Sequence, residues 1–317
     1  MLSFRTFCNT DPPAVIDIWR SRAGQPGLLQ PVSADLFEQL VFAKPYFDCH
    51  GLILALDDGR AVGFAHAGFG PNEGQSDIST ELGVTCAVLV RPDYPVAEVA
   101  AGLLQHAEQY LLDRGAKVLY GGAIRPLNPF YLGLYGGAEL PGILTSDHVA
   151  IDLFRGHGYR EIDQTLIFRR DLTDFQVPMD RAQLALRRQM TIQMTADPPS
   201  RNWWDACTTS DFDLTRFEVM PRGGGQVLAK ATFRGMEPAG ASTFVRAAGL
   251  IDLEVDAGRR RQGLATYLLG EAFQSCSRQG IMLVEVQTMA RNAAAIALYR
   301  KLGFRQADQG IVFRKDA

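Results

Sequence analysis

The sequence lacks the features that mark secreted, membrane-spanning and zinc-binding proteins. Its five cysteines are scattered along 317 residues without a CxxC pair, which argues against a zinc site or disulfide framework and fits a reducing compartment. No apolar run approaches the length that spans a bilayer, and the opening MLSFRTFCNTDPP has no secretory apolar core. These absences predict a cytoplasmic protein with no bound metal and no membrane partner.

An excess of charge of one sign is also missing. The formal net charge is -3, which gives no electrostatic reason to expect nucleic acid as a partner. All five histidines lie between His50 and His157, so the second half has no imidazole for proton transfer. A chain of 317 residues exceeds the usual size of a single hydrophobic core, which favours two domains.

What the sequence does contain is an internal duplication. At an offset of 145, residues 150–169 (AIDLFRGHGYREIDQTLIFR) match residues 295–314 (AIALYRKLGFRQADQGIVFR) without gaps, with ten of twenty positions identical. Each copy has the pattern of a short helix, a glycine stop and a closing strand. Upstream the offset is 165, where residues 103–115 match residues 268–280, so the first copy carries 20 additional residues within 121–146. The chain is therefore predicted to be a tandem of two related domains.

The pattern of apolar residues predicts an α+β fold with a mixed α/β sheet in each copy, residues 1–172 and 173–317, joined by the linker DLTDFQVP. In the first copy we predict helices at residues 12–22 and 33–42 and strands at residues 51–56, 61–69 and 81–90. In the second copy we predict a helix at residues 179–194 and strands at residues 202–207, 213–220, 226–234 and 243–256.

The segment IDLEVDAGRRRQGLATYLL has the pattern of a strand, a basic turn and a helix. The N–H groups and the dipole at a helix N-terminus attract anions. Gly263 lets the backbone approach a ligand without a Cβ in the way, Ala265 keeps the first turn slim, and Arg260 and Arg261 supply countercharge. The pattern predicts that the turn and the start of the helix bind a phosphate group, and we call this site the cradle. The alternative interpretation is a solvated basic turn.

Two motifs carry a resemblance to a known family. RRQGLA, which begins at Arg260, matches the pyrophosphate motif [QR]-x-x-G-x-[GA] of the GNAT superfamily of acyl-CoA-dependent acyltransferases. NAAAIALYRKLGF, which begins at Asn292, is similar to its second signature, N-x-x-A-x-x-L-Y-x-K-x-G-F. The second copy thus resembles a GNAT N-acetyltransferase, and the whole chain resembles tandem members such as mycothiol synthases.

The resemblance implies acetyl-CoA as cosubstrate, no metal, and direct attack of an amine on the thioester. It implies that backbone groups of the strand hold the pantetheine arm and that N–H groups of the turn wrap the pyrophosphate. Tyr299 would donate its proton to the departing thiolate. The alternative role for Tyr299 is that of an aromatic side chain that packs the helix onto the sheet. The implied binding residues are Leu253, Val255, Arg260, Arg261, Gln262, Gly263, Leu264, Ala265, Thr266 and Asn292.

The general base has several candidates. Glu254 is our first choice, and strand alternation places it on the same face as Asp252. Glu218 and Glu285 lie in other strand-like runs, and a relay through water would also suffice. Each of these carboxylates, taken singly, also fits a solvated surface position.

The first copy has lost the same machinery. Pro95 stands where the second copy has Arg260 and cannot offer an N–H, and Glu98 replaces the cradle glycine with a repelling carboxylate. Phe154 replaces the phenol of Tyr299. We interpret this copy as a degenerate domain kept for support, acceptor recognition or dimerisation. The insertion at residues 121–146 is predicted to fill or cover the old cleft, or to add a wall to the acceptor site; the alternative is a packed Ω-loop over the sheet.

The predicted function is transfer of an acetyl group from acetyl-CoA to the primary amine of a small molecule or peptide. The alternative, from another class, is a non-catalytic acyl-CoA-responsive binding module. No nucleic acid partner is expected, and a homodimer is a candidate assembly. The sequence does not identify the acceptor, because the fold alone carries no information about it.

Overall fold

The computed structural model describes residues 1–236 and 246–317, and contacts divide them into two compact units. Unit 1 contains Met1–Thr165, Ser200–Asp211 and Asp308–Ala317, and unit 2 contains Leu166–Pro199 and Phe212–Ala307. Within the described ranges, no helix is both long and apolar enough to cross a membrane.

The first half of the chain forms seven strands and four helices among its described residues. In chain order they are β1 (Leu2–Thr6), α1 (Pro12–Ser21), α2 (Ala34–Phe37), β2 (Leu52–Asp57), β3 (Arg60–Pro71), β4 (Ile78–Val90), α3 (Val96–Asp113), β5 (Val118–Gly121), β6 (Ile143–Leu144), α4 (His148–Gly156) and β7 (Arg160–Asp171). A π-helical turn, Glu38–Phe42, extends α2, so the helices and strands predicted for the first copy are confirmed. In unit 1, β1 to β5 are neighbours in sequence order.

The second half follows the same plan. Its elements are α5 (Arg181–Gln189), β8 (Met190–Ala196), α6 (Trp203–Thr209), β9 (Leu214–Pro221), β10 (Ala229–Gly235), β11 (Ala247–Val255), α7 (Leu264–Arg278), β12 (Leu283–Met289), α8 (Ala293–Lys301) and β13 (Arg305–Asp316). In unit 2 the strand order is β8-β9-β10-β11-β12, and β12 is next to β7. The α+β class and the two tandem halves with matching elements are confirmed.

The strand registers confirm the duplication residue by residue. β4 pairs in parallel with β5 from Leu82↔Val118 to Thr85↔Gly121, and β11 pairs in parallel with β12 from Ala247↔Leu283 to Leu250↔Val286. Every one of these positions is related by the offset of 165. The register also shifts at equivalent points, so that the pairing with β3 skips Cys86 and the pairing with β10 skips Ile251. Bulges bend strands, and both of these directly follow the last residue pair of the parallel pairing.

The short helices α4 and α8 are equivalent at both ends. The side chains of Asp147 and Asn292 accept hydrogen bonds from Ala150 N and Ala295 N, at 3.0 and 3.2 Å. Gly158 and Gly303 follow the helices in the left-handed region, with φ of 84° and 81°, which ends a helix at little cost for glycine. The offset of 145 therefore matches helix caps as well as side chains.

Three predicted elements of the second copy need comment. The helix predicted at residues 179–194 is wrong in its second part, because Arg181–Gln189 is helical but β8 begins at Met190. The strand predicted at residues 202–207 is also wrong, since Trp203–Thr209 is helix α6. The strand predicted at residues 243–256 is present as β11, while residues 243–245 lie outside the described residues.

Tertiary contacts explain why α6 is a helix despite its aromatic and β-branched residues. The side chain of Asn202 caps it by accepting from Asp205 N at 2.8 Å. Within unit 1, Trp204 Nε1 donates to Pro126 O at 2.9 Å and Arg125 lies 3.4 Å from Asp205. The strand propensity of tryptophan and threonine is weak against such packing.

The compact units do not coincide with the sequence repeats at their closing strands. Phe313–Asp316 of β13 pair antiparallel with Val118–Gly121 of β5, so the end of the chain lies in unit 1. Phe168 and Leu172 belong to the hydrophobic core of unit 2. The boundary between residues 172 and 173 therefore remains a prediction about the sequence repeats. In the compact units, the end of the first repeat packs in unit 2 and the end of the second repeat packs in unit 1.

The insertion at residues 121–146 is packed rather than loose. Leu127, Phe130, Tyr131, Leu132, Leu134 and Leu140 are all at most 8% exposed. The aromatic ring of Phe130 stacks on His66 with centroids 4.1 Å apart. These contacts hold the insertion against the rest of unit 1.

Limited proteolysis should reflect this packing. We expect residues 121–146 to resist cleavage in the native protein, because a protease must first expose backbone that is buried with these side chains. The measurement is mass spectrometry of fragments over time. Rapid cleavage confined to this segment, with the rest of the chain intact, would contradict the packing.

Candidate active site

The two parallel strands of unit 2, β11 and β12, stop pairing next to the bulge in β11. Their pairing ends at Leu250↔Val286, and β11 continues alone on that side to Val255 among the described pairings. Leu253 and Val255 are half-buried against the core of unit 2, whereas Glu254 is exposed. A strand edge that is open beside a cleft can hydrogen-bond an extended, amide-bearing ligand.

The start of α7 has features that favour an anion. Gly263 occupies the N-cap position with φ 84°, and no side chain among the described residues caps this end. No acidic residue stands in the first turn, so the helix dipole and the N–H groups of Leu264, Ala265 and Thr266 are left uncompensated. Leu264 and Thr266 are buried, at 3% and 5% exposed.

The basic turn before α7 is held by its own side chains. Arg260 Nε donates to Val255 O at 3.3 Å, and Gln262 Nε2 donates to Gly258 O at 3.2 Å. Arg261 has φ 63°, which is costly for a residue with a Cβ. Left-handed residues at 261 and 263 turn successive N–H groups toward one side, the arrangement that binds phosphates.

The sequence reasoning missed the residue that packs against the cradle. Gln183 on α5 is 3% exposed, and its Nε2 donates to Gly263 O at 3.3 Å. A Cβ built on Gly263 would lie 2.9 Å from this nitrogen. The φ of 84° therefore favours glycine at 263, and a Cβ there would also displace the end of the flexible Gln183 side chain. The only sequence signal was the capping aspartate Asp180, which accepts from Gln183 N at 2.8 Å.

Tyr299 lies on α8 within the core of unit 2 and is 4% exposed. Its ring is 6.1 Å from that of Phe168 and 5.6 Å from that of Phe304. These contacts fix the ring, so the packing role considered above is real whether or not the hydroxyl reacts. Asn292 begins the same helix as its side-chain cap, which accounts for this residue without any ligand.

The candidate bases differ in their surroundings. Glu254 is 54% exposed at its side chain and lies 3.0 Å from Lys230 Nζ. Glu285 is fully buried and accepts from Arg169 Nε at 2.8 Å, which holds it as a carboxylate ion pair. Asp252 and Glu218 are half-buried on β11 and β9. Of the four, Glu254 is the most accessible to a proton carried by solvent.

The equivalent helix start in unit 1 is closed to anions. Pro95 occupies the N-cap of α3, and Glu98 places a carboxylate in its first turn. Phe154, at the position of Tyr299, stacks on Phe313 with centroids 5.8 Å apart. The glycine and the phenol of unit 2, Gly263 and Tyr299, therefore have no counterparts at the matching positions of unit 1.

Known proteins resemble the chain at three levels. The profile of the acetyltransferase (GNAT) family matches residues 15–135 and 186–304. The [ribosomal protein bS18]-alanine N-acetyltransferase of Escherichia coli strain K12 is 40% identical over 60 residues, which is 19% of this chain and 40% of that enzyme. The chain thus spans less than half the length of the curated relative that it matches.

Solved structures show the same tandem fold. A GCN5-related N-acetyltransferase from Sphaerobacter thermophilus has a TM-score of 0.65 at 18% identity, covering 99% of this chain and 95% of its own. A tandem GNAT protein from the clavulanic acid biosynthesis pathway has a TM-score of 0.70 at 16% identity, with coverages of 100% and 98%. At these identities the likeness shows the fold alone. Since the family profile covers most of both repeats, the chain belongs to the acetyltransferase (GNAT) family.

Proposed function

We propose that unit 2 transfers an acetyl group from acetyl-CoA to a primary amine. The observation that carries the proposal is the uncapped start of α7, where Arg261 and Gly263 are both left-handed beside the parted strands. Its N–H groups and arginines suit a pyrophosphate, and the part of β11 beyond its pairing with β12 suits a pantetheine arm. The residues present therefore fit CoA, and Leu253, Val255 and Arg260 to Thr266 would hold it.

In the proposed reaction the amine nitrogen bonds to the thioester carbonyl carbon and the carbon–sulfur bond breaks. The departing sulfur takes the proton of the Tyr299 hydroxyl, and the amine loses its proton to Glu254, directly or through water. The phenol can protonate a thiolate, whose usual pKa is about 8.5, because transfer accompanies bond breaking. Donating from a buried ring keeps the proton near the sulfur and away from bulk water.

Release of free CoA thiol from acetyl-CoA tests the proposal directly. The full chain would be incubated with amino acids, polyamines, aminoglycosides and short peptides, including one that begins with alanine because the bacterial relative acts on an alanine of bS18. Amine-dependent thiol release with a matching acetylated product is the expected result. Tight binding of acetyl-CoA without turnover of any amine would favour the non-catalytic binding module instead.

Glu254→Gln should lower kcat/KM by about ten- to a hundredfold and weaken its dependence on pH at the acid side, because the amide cannot accept the proton. Lys230→Met is the paired variant, since it removes the cation 3.0 Å from this carboxylate and leaves the base in place. The measurement is kcat/KM against pH. Full activity in Glu254→Gln, with loss in Asp252→Asn, would assign the base to Asp252.

A further inference from the structure

Unit 1 keeps the shape of the cleft although it has lost the cradle. β4 and β5 separate after Thr85↔Gly121, and the gap between them opens into a cavity of about 110 Å³. One wall is β4 from Thr85 to Leu89, and another is α4 with Phe154. The insertion lines the cavity instead of filling it, with Tyr131 and Tyr135 facing the space.

Specific contacts hold the aromatic side chains of this cavity wall in place. Tyr131 stacks on Trp19 with ring centroids 5.6 Å apart and planes within 8°. Trp19 Nε1 donates to Leu29 O at 3.0 Å, and the Tyr131 hydroxyl lies 2.9 Å from His66 Nδ1. Tyr131 holds φ 70°, a costly conformation for a bulky residue. Such strain persists only where surrounding contacts enforce it, which is typical of ligand sites.

Two side chains of opposite charge lie at the mouth of the cavity, and the side-chain amide of a glutamine is hydrogen-bonded to both. Gln25 Nε2 donates to Asp147 Oδ2 at 2.9 Å, and Arg22 Nε donates to Gln25 Oε1 at 2.7 Å. Gln25 and Asp147 line both the cavity and an adjoining open groove, which Arg22 and His148 also line. A ligand that enters the cavity must therefore pass a carboxylate and a guanidinium only one side chain apart.

Size and charge together define the ligand. A dry cavity of roughly 150 Å³ admits benzene, so 110 Å³ suits a branched group of about four carbon atoms. We propose that this cavity binds a free α-amino acid with a branched aliphatic side chain, its ammonium group on Asp147 and its carboxylate on Arg22. The site is a binding site without chemistry, because Phe154 offers no proton and Glu98 repels a phosphate-bearing ligand.

Calorimetric titration of the full chain with L-leucine tests the site. One molecule should bind per chain, and Gly263→Glu, which alters only the cradle of unit 2, should leave the affinity unchanged. Glycine, 4-methylpentanoate and isopentylamine each lack one feature of the ligand and should bind at least about tenfold more weakly, a difference near 1.4 kcal/mol. Isopentylamine binding as tightly as leucine would overturn the role of Arg22.

Two variants test the residues. Asp147→Asn keeps the cap of α4, since asparagine caps as well as aspartate and stands at the equivalent position, Asn292. The variant should nevertheless lower the affinity for leucine at least tenfold. Ala150→Leu should weaken it by filling the cavity that Ala150 lines. The matched control is Asp152→Asn, on the exposed side of α4. No leucine binding to the parent, or parent-like leucine affinity in both Asp147→Asn and Ala150→Leu, would overturn the proposal.

Discussion

Gly263→Glu is expected to abolish acetyl-CoA binding, with affinity falling by about 100- to 1,000-fold. Two like charges 4 Å apart near a protein surface repel by about 4 kcal/mol, which corresponds to nearly a thousandfold in affinity. The substitution also forces a Cβ onto a residue with φ 84°, 2.9 Å from Gln183 Nε2. Isothermal titration with acetyl-CoA gives the affinity and the stoichiometry.

Gly263→Gln separates the charge from the strain. Glutamine has the shape of glutamate, so it brings the same Cβ to a residue with φ 84° and meets Gln183 in the same way, but it brings no charge. We therefore expect a smaller loss of affinity in Gly263→Gln than in Gly263→Glu, with similar thermal unfolding in both. If Gly263→Glu binds acetyl-CoA as the parent does, the anion does not sit at the start of α7.

Tyr299→Phe should reduce turnover by about ten- to ten-thousandfold while acetyl-CoA affinity changes little. The substitution removes one oxygen and leaves the contacts with Phe168 and Phe304 in place, so the core of unit 2 should keep its packing. Steady-state kcat, together with the dissociation constant for acetyl-CoA, separates the two effects. The same change is natural in the first repeat, where the equivalent residue is Phe154.

Tyr267→Phe is the matched control for the loss of a hydroxyl. Tyr267 is 5% exposed in the same hydrophobic core, and burial is the main cause that raises its pKa above the usual value. Tyr267→Phe should have the same kcat as the parent protein. Full activity in Tyr299→Phe would show that the thiolate leaves without this proton, and loss of binding together with activity would assign Tyr299 a packing role alone.

The sequence predicted those features that local chemistry repeats in both copies. The offsets of 145 and 165 identified the capped helices, the glycine stops and the parallel strand pairs, and the structure places all of them at matching positions. The basic turn was recognisable because anion binding requires a particular order of residues along the chain. Motif and duplication together were therefore sufficient for the fold and for the family.

Features set by distant contacts were not predictable in the same way. Trp203 and Trp204 suggested a strand, and the capping pair of Asn202 with Asp205 was the local sign of a helix that we did not weigh. Met190 continues the apolar spacing of α5, yet it starts β8 because its backbone pairs with Pro221. The packing of Gln183 on the cradle depends on two segments 80 residues apart, which no local pattern reports.

The exchange of closing strands affects how the protein is made. A ribosome delivers residues 1–165 long before Asp308–Ala317, yet unit 1 needs those last residues to pair with β5. Until then, Val118–Gly121 has an unpaired edge, and Phe313 is missing from the core that also contains Phe154. Unit 1 therefore completes its fold only after Asp308–Ala317 have emerged, which is after every residue of unit 2 has been made. Duplication in this protein has thus given two units that are interleaved along the chain instead of two separable modules.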